Sequence, residues 1–274
     1  MIAIIGESSE MSYDFHIVKY PRTQHLEGSR LQAGDEDLSQ VSFDHILRRH
    51  IVVEEKIDGA NSAISFDNEG KLLLQSRGHY LDGGYRERHY NLMKQWGNIN
   101  AELFYSVLGS RYIMYGEWMY AKHTVFYDAL PDYFMEFDIY DREEKVFLDT
   151  PSRRKFTEQM GIISSVPVLD TGKFRKKEDI LAHIGPSNYI TENHTEVLKA
   201  LARRQGLDVD RVLRETDPSV TMEGLYIKVE EGGVVTERLK YVRASFLQCL
   251  FASESHWQSR PIIPNQLVGH TVLS

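Results

Sequence analysis

The stretch 51–76 constrains the fold more than any other part of this chain. It reads as the strand IVVEEK, the turn IDGAN, the strand SAISF, the turn DNEG and the strand KLLLQS. Short apolar runs separated by glycine-containing turns predict an antiparallel meander, because glycine accepts the positive φ that tight turns need. Two further strand blocks follow. One covers 112–118, 133–140 and 146–148. The other pairs TMEGLYIKVE with VVTERLKYVR across the turn EGG. Between them, Thr150 and Pro151 predict an N-cap and a first helical position, with Gly161 as the stop. Helical periodicity recurs over 177–184 and 196–214. Strand-rich blocks separated by helices, with no regular βαβ alternation, predict an α+β fold built on mainly antiparallel sheets.

The chain has 274 residues, enough for one large domain, and 42% hydrophobic with 26% charged residues suits a buried core. No run approaches the roughly 18 apolar residues of a membrane span, so no membrane partner is expected. The opening MIAIIG is too short and lacks the basic start of a signal peptide. A single cysteine, Cys249, excludes an internal disulfide and a multi-cysteine zinc site, and the expected setting is the reducing cytoplasm. The formal charge of −8 argues against a broad nonspecific DNA clamp. Basic residues nevertheless cluster: Arg153, Arg154 and Lys155; Lys173, Arg175, Lys176 and Lys177; Arg238, Lys240 and Arg243. Such clusters are either solvated helix faces or candidate phosphate contacts.

The sharpest chemical signal is Lys56-Ile57-Asp58-Gly59, followed by Ala60-Asn61. A lysine at the end of a buried strand, beside a tight turn, can be held rigidly in a cleft. As a nucleophile it must first lose its proton, and desolvation or neighbouring cations promote that loss. Alone, such a tetrapeptide pattern arises by chance in roughly 5–10% of chains of this length. It is followed in order by Tyr115-Gly116-Glu117, Phe134-Met135-Glu136-Phe137-Asp138, Glu223-Gly224-Leu225-Tyr226-Ile227-Lys228 and Arg238-Leu239-Lys240, each on an expected strand. This collinear series resembles the motifs of the covalent nucleotidyltransferases: ATP-dependent DNA ligases, RNA ligases and mRNA capping enzymes. The Glu-Lys-Ile-Asp-Gly-Ala-Asn start and the Phe-Met-Glu-Phe-Asp-Ile-Tyr stretch look most like RNA ligases of the second bacteriophage class and their bacterial relatives.

The resemblance implies an adenylation domain in which two mainly antiparallel sheets, flanked by helices, enclose an ATP cleft. Lys56 matches the lysine that becomes adenylated. Glu55 and Ile57 flank it where the family reads the adenine edge, partly through backbone groups. Asn61 falls on a polar nucleotide contact, with a plain turn asparagine as the other reading. Arg77 resembles the arginine that holds ribose and phosphate, the alternative being a surface arginine. Glu117 resembles a ribose-binding or metal-organising carboxylate, and Glu223 the one that orients hydrated Mg²⁺ or Mn²⁺. Phe137 resembles the ring stacked on adenine, with Phe134 as its rival. Lys228 and Lys240 resemble cations that neutralise charge on the α-phosphate and leaving pyrophosphate, with Arg238 beside them. Family members often carry lysine at both positions of the last motif, so the division of work among Arg238, Lys240 and Arg243 stays open.

Strand geometry adds a constraint. Glu223 and Lys228 are five residues apart and should face opposite ways in a regular strand. If both serve one site, alternation must break, and Gly224 is the cheapest place for it. Beyond Arg243 only 31 residues remain, too few for the OB-fold domain of DNA ligases and capping enzymes. The expectation is therefore an adenylation domain over 1–250 and a short tail over 251–274, with the stretch FLQCLFASESHWQSRPIIPN at 246–265 read as one short helix and an extended end. The implied activity seals 5′-phosphate and 3′-hydroxyl RNA ends, in nicked duplexes or broken structured RNA, with an accessory repair protein as a candidate partner. The basic segments of 153–177 are then candidates for the RNA path. The competing readings are a DNA ligase or capping-type transferase acting with a partner subunit, and a non-catalytic nucleic-acid-binding relative.

Overall fold

The computed structural model describes residues 16–31, 39–246 and 261–269. Among these residues, twelve strands form one hydrogen-bonded sheet. They are β1 (Gln24–Leu26), β2 (Gln40–Val41), β3 (Ile51–Lys56), β4 (Ala60–Phe66), β5 (Leu72–Ser76), β6 (Tyr112–Trp118), β7 (Phe134–Asp141), β8 (Val146–Leu148), β9 (Ser164–Ser165), β10 (Val168–Gly172), β11 (Gly224–Glu231) and β12 (Val234–Val242). The helices are α1 (Asn91–Ile99), α2 (Ala101–Leu108), α3 (Thr150–Met160), α4 (Lys177–Leu181), α5 (His194–Arg204) and α6 (Val209–Arg214). Among the described residues no helix is long and apolar enough to cross a membrane.

The main strand order is β10-β3-β11-β12-β8-β7-β6-β4-β5, and every neighbouring pair in that series is antiparallel. Continuity through the middle depends on the three-residue β8, which pairs with both β12 and β7. The two expected sheets are thus two halves of one sheet, β10-β3-β11-β12 and β7-β6-β4-β5, joined by this short strand.

Alternation along the strands decides what each half buries. Ile51 and Val53 of β3 join Leu225, Ile227, Val229 and Leu239 in a core closed by Phe43, Ile46 and Ile180. Ile64, Phe66, Met114, Trp118 and Phe134 form a second core with Met93 of α1, Phe104 of α2 and Met160 of α3. The other face of the first half carries Glu54, Lys56, Tyr226, Lys228, Arg238 and Lys240, by the register of β3, β11 and β12. These side chains meet Phe137 and Asp138 of the second half and Tyr20 of the segment before β1.

Where the two halves meet, an ionic cluster, buried except for the partly exposed Arg238, is balanced in charge. Arg153 of α3 bonds Glu136 at 2.6 Å and also Glu54. Lys228 reaches Glu54 and Asp138, each at 3.0 Å. Arg238 bonds Asp138 at 3.0 Å and stacks 3.6 Å over the Phe147 ring. Three carboxylates face three cations, as burial of charge requires. Burial works against ionisation of Asp138, but Lys228 and Arg238 outweigh it and hold its carboxyl below the usual range.

Local details depart from expectation for identifiable reasons. The N-cap of α3 is Asp149, whose carboxylate accepts from the Ser152 amide at 3.0 Å. Thr150 is the first helical residue instead, and its hydroxyl donates to Glu230 at 2.6 Å. The periodic stretch 196–214 is split into α5 and α6 by Gly206, at φ 68, and by an N-cap at Asp208. Helices α1 and α2 and strand β10 had no distinct sequence signal. The helix expected after Arg243 falls on 247–260 and Cys249 with it, outside the described residues. Within 261–269, Asn265 is fully buried and bonds Met119 O and the Tyr127 amide, which fixes this segment to the main body.

Candidate active site

Lys56 is the last residue of β3, and the chain then turns through Asp58 and Gly59 into β4. Asp58 anchors the turn: its carboxylate accepts from the amides of Thr124 at 2.7 Å and Val125 at 2.9 Å, while its own amide donates to Tyr127 Oη. Gly59 has no room for a side chain, since a Cβ there would lie 2.6 Å from Met119 Sδ and 2.8 Å from Glu117 Cγ. The Lys-x-Asp-Gly pattern is therefore a packing requirement as well as a chemical one.

Lys56 Nζ donates to Glu223 Oε2 at 2.6 Å. Glu223 lies at a bend just before β11, and this bend breaks the strand alternation. The following Gly224 is pinched between Lys56 of β3 and Val242 of β12, where a Cβ would overlap the Tyr241 carbonyl. The break thus falls beside Gly224, where the sequence required it if Glu223 and Lys228 were to turn the same way. On the facing half, Glu117 of β6 and Asn61 of β4 are register partners and so share a face. The Asn61 Oδ1 atom is buried with no hydrogen-bond donor among the described residues. Such an atom is costly unless something that enters the cleft satisfies it.

Three carboxylates, Asp58, Glu117 and Glu223, act on the one ammonium of Lys56. Burial alone would lower the Lys56 pKa, but Glu223, Glu117 and Asp58 outweigh it and hold the amine charged above its usual range. Glu117 is the carboxyl that keeps a proton. Burial, with Glu223 and Asp58 nearby, pushes it up to about 8 against the opposing pull of Lys56. Among the described residues no three His, Cys, Asp or Glu side chains converge to ligate a metal by themselves. The oxygen donors present suit a hard cation that keeps most of its water and takes one or two carboxylates.

The remaining expected residues divide into groups. Burial pushes the Glu223 carboxyl above its usual range against the pull of Lys56, and Lys240 adds a smaller pull toward the charged form. Arg77 follows β5 one position beyond the last register pair, Ser62 with Ser76, which places it opposite Asn61 if the register continues, and it is exposed. Glu55 points to the opposite side of β3, where it accepts from Ser187 Oγ, the Asn188 amide at 3.1 Å and Asn188 Nδ2 at 2.7 Å. Ile57 is core, packed with Met119, Val125 and Tyr127. Phe134 is fully buried beneath Gly116, whose Cβ would lie 2.5 Å from its ring. Phe137 is only partly buried, edge-on to Tyr20 at 5.1 Å with the Tyr226 ring 6.5 Å away, so of the two rings it is the more accessible. Lys228 is not brought to Lys56. Its ammonium bonds Glu54, Asp138 and the Phe137 carbonyl, and contact with a phosphate would require releasing these.

Two basic residues need reassignment. Arg153 belongs to no surface path, because it is completely buried between Glu54 and Glu136. Arg243 is a clasp for the segment before Glu223: it bonds Asp217, Ser219 Oγ at 2.9 Å and the Met222 carbonyl at 2.8 Å. Sequence reasoning missed Tyr20, which donates to Asp138 and packs on Phe137, and it missed the Ser187–Asn188 loop held by Glu55. Neither lies in a motif; only the folded contacts reveal them.

A family model described as RNA ligase matches residues 49–242, which include every expected site residue except Arg243. No curated protein matches the sequence significantly. Among solved structures, a Naegleria gruberi RNA ligase variant with ATP and Mn is 17% identical, with a TM-score of 0.49 over 88% of this chain and 60% of that one. A second variant of that ligase with ATP and Mn is 16% identical, with a TM-score of 0.45 over 77% and 54%. The chain therefore covers little more than half the length of those ligases.

Proposed function

The chain belongs to the RNA ligase family, and from that premise we propose that it seals RNA ends with ATP through an AMP group carried on Lys56. The observation that carries this reading is the set Lys56, Glu223, Glu117 and Asn61. These residues from four segments converge on one cleft, with Lys56 Nζ 2.6 Å from Glu223 and an unsatisfied Asn61 acceptor close by.

In the first step the Lys56 amine, once neutral, attacks the α-phosphorus of ATP. An N–P bond forms, the bond to the bridging oxygen breaks and pyrophosphate leaves. AMP then passes from Lys56 to the 5′-phosphate of an RNA end, and a 3′-hydroxyl attacks that phosphate and expels AMP. Glu223 and Glu117 would hold a divalent cation such as Mg²⁺ or Mn²⁺. When bound, it would offset the excess of carboxylates around Lys56, make the neutral amine easier to reach and balance phosphate charge. Lys240, which acts on Glu223, would meet the phosphates, and the exposed Arg77 would contact them from the end of β5. Phe137, the more accessible of the two rings, would stack on the base. Lys228 acts on that ring through its carbonyl, as a positioning residue, while Arg238 and Asp138 hold the wall behind it.

The test is sealing of a nicked RNA duplex in parallel with DNA and hybrid duplexes, with each of the four nucleoside triphosphates. ATP-dependent joining of an RNA strand supports the reading. Transfer of GMP to the protein, or joining confined to DNA, replaces it with a capping-type or DNA-ligase reading.

A further inference from the structure

Arg48, Lys173 and Arg175 line one groove at the edge of the sheet. The groove lies at the far end of β3 from Lys56: Gly172 of the edge strand β10 pairs with Ile51, and the Arg48 amide donates to the Phe174 carbonyl at 2.9 Å. All three cations are exposed, and among the described residues none is in an ion pair. Lys176 and Lys177 follow directly and are exposed too. The nearest acidic residues in sequence are Asp170, which faces His183 at 3.2 Å, Asp44 before Arg48, and Glu178 and Asp179 in the first turn of α4; none of them is in the lining. In a chain of net charge −8, an unpaired cationic groove is a departure that needs a partner.

A second observation concerns Arg48 itself. Its φ is 67°, in the left-handed region, where glycine fits without cost and a side chain does not. Arginine is therefore held in an unfavourable backbone conformation with its guanidinium in the groove, as recurs where function and not stability fixes the residue.

We propose that this groove binds the phosphodiester backbone of RNA flanking the break. The proposal rests on the ligase reading above and adds a second contact region to it. At about 3.3 Å per residue, β3 separates the groove from Lys56 by about 17 Å. That distance corresponds to about five nucleotides along one strand at the 3.4 Å spacing of a duplex. The groove thus grips the flank while Lys56 meets the end. Planar guanidinium forks on Arg48 and Arg175 suit paired phosphate oxygens. Lys155 and Arg154, on α3, are not part of the lining.

The experiment compares the wild-type chain with the triple variant Arg48→Gly/Lys173→Gln/Arg175→Gln, and with Arg48→Gly alone. The probe is a nicked RNA duplex with long arms, its affinity measured by anisotropy between 50 and 200 mM salt. Loss of three phosphate contacts should reduce the slope of log affinity against log salt by about 2–3. The wild-type advantage at 50 mM should therefore shrink about 15- to 60-fold at 200 mM. Arg48→Gly alone should weaken RNA binding while its Tm stays level or rises, an outcome a structural role would not give. Adenylation of Lys56 should match wild type in both variants. Unchanged affinity and salt slope in the triple variant overturn the proposal. A wild-type chain that binds RNA through the groove but forms no lysine–AMP would sink the ligase reading instead.

Discussion

Replacing Glu223 with glutamine separates two effects of one carboxylate. Glu223 lies 2.6 Å from Lys56 Nζ, with 1% of its side chain exposed and 20% of the lysine's. At an effective dielectric near 20, charges at that distance attract by about 6 kcal/mol before lost solvation is subtracted. The preference for the charged amine that survives in such pairs is about ten- to a thousandfold. Glu223→Gln keeps the shape and removes the charge, leaving Glu117 and Asp58 to oppose the burial of Lys56. The neutral fraction of the Lys56 amine at pH 8 should rise by about that factor. Brief acetylation with acetic anhydride across pH, read by peptide mass spectrometry without ATP or metal, measures it. The same variant should adenylate more slowly, because it loses a carboxylate proposed to hold the divalent cation. Higher amine reactivity with lower adenylation is the expected pair of results. Unchanged acetylation would refute the ion-pair argument, and faster adenylation would reduce Glu223 to a brake on the amine.

Other outcomes follow from the buried charges. Arg153→Ala leaves Glu54 and Glu136 buried without their guanidinium, a loss of about 3–5 kcal/mol, which at about 2–4 °C per kcal/mol lowers Tm by roughly 10 °C. Burial already holds Glu136 above the usual carboxylate range, so its favourable contribution is present at low pH and lost as pH rises. The Arg153→Ala deficit should therefore be smaller at pH 5 than at pH 8 in thermal unfolding. Glu117 keeps its proton to about pH 8 when folded and releases it near 4.5 when unfolded. Its contribution to stability should thus decline between those values, and Glu117→Gln should flatten that part of the Tm–pH curve. Added Mg²⁺, which favours the carboxylate, should raise Tm most above pH 8 in the wild-type chain and least in the variant.

Much of this fold was legible because strand periodicity and turn chemistry are local. The strands Ile51–Lys56, Tyr112–Trp118 and Val146–Leu148 fall where the sequence places them. The Asp149 cap was missed because Asp-Thr-Pro offers two capping side chains, and only the distant Glu230 decides that Thr150 turns to it. The motifs that mark Lys56, Glu117 and Glu223 were legible as residue types in order. Their convergence depends on β4 pairing with β6 and β3 with β11, which no local pattern encodes. Charge patterning misled at Arg153, since a basic triplet on a helix presents one residue in three to the interior and the sequence gives no sign which. It was silent at Arg48, whose place in the groove comes from the pairing of β10 with β3.

The most direct test of the central claim is peptide mapping of the protein after incubation with ATP and Mg²⁺. The account predicts one AMP per chain, on the peptide containing Lys56, in an acid-labile and base-stable linkage. It also predicts no adduct in Lys56→Arg, because a guanidinium stays protonated and cannot attack. AMP on another residue, or an adduct that persists in Lys56→Arg, would contradict it.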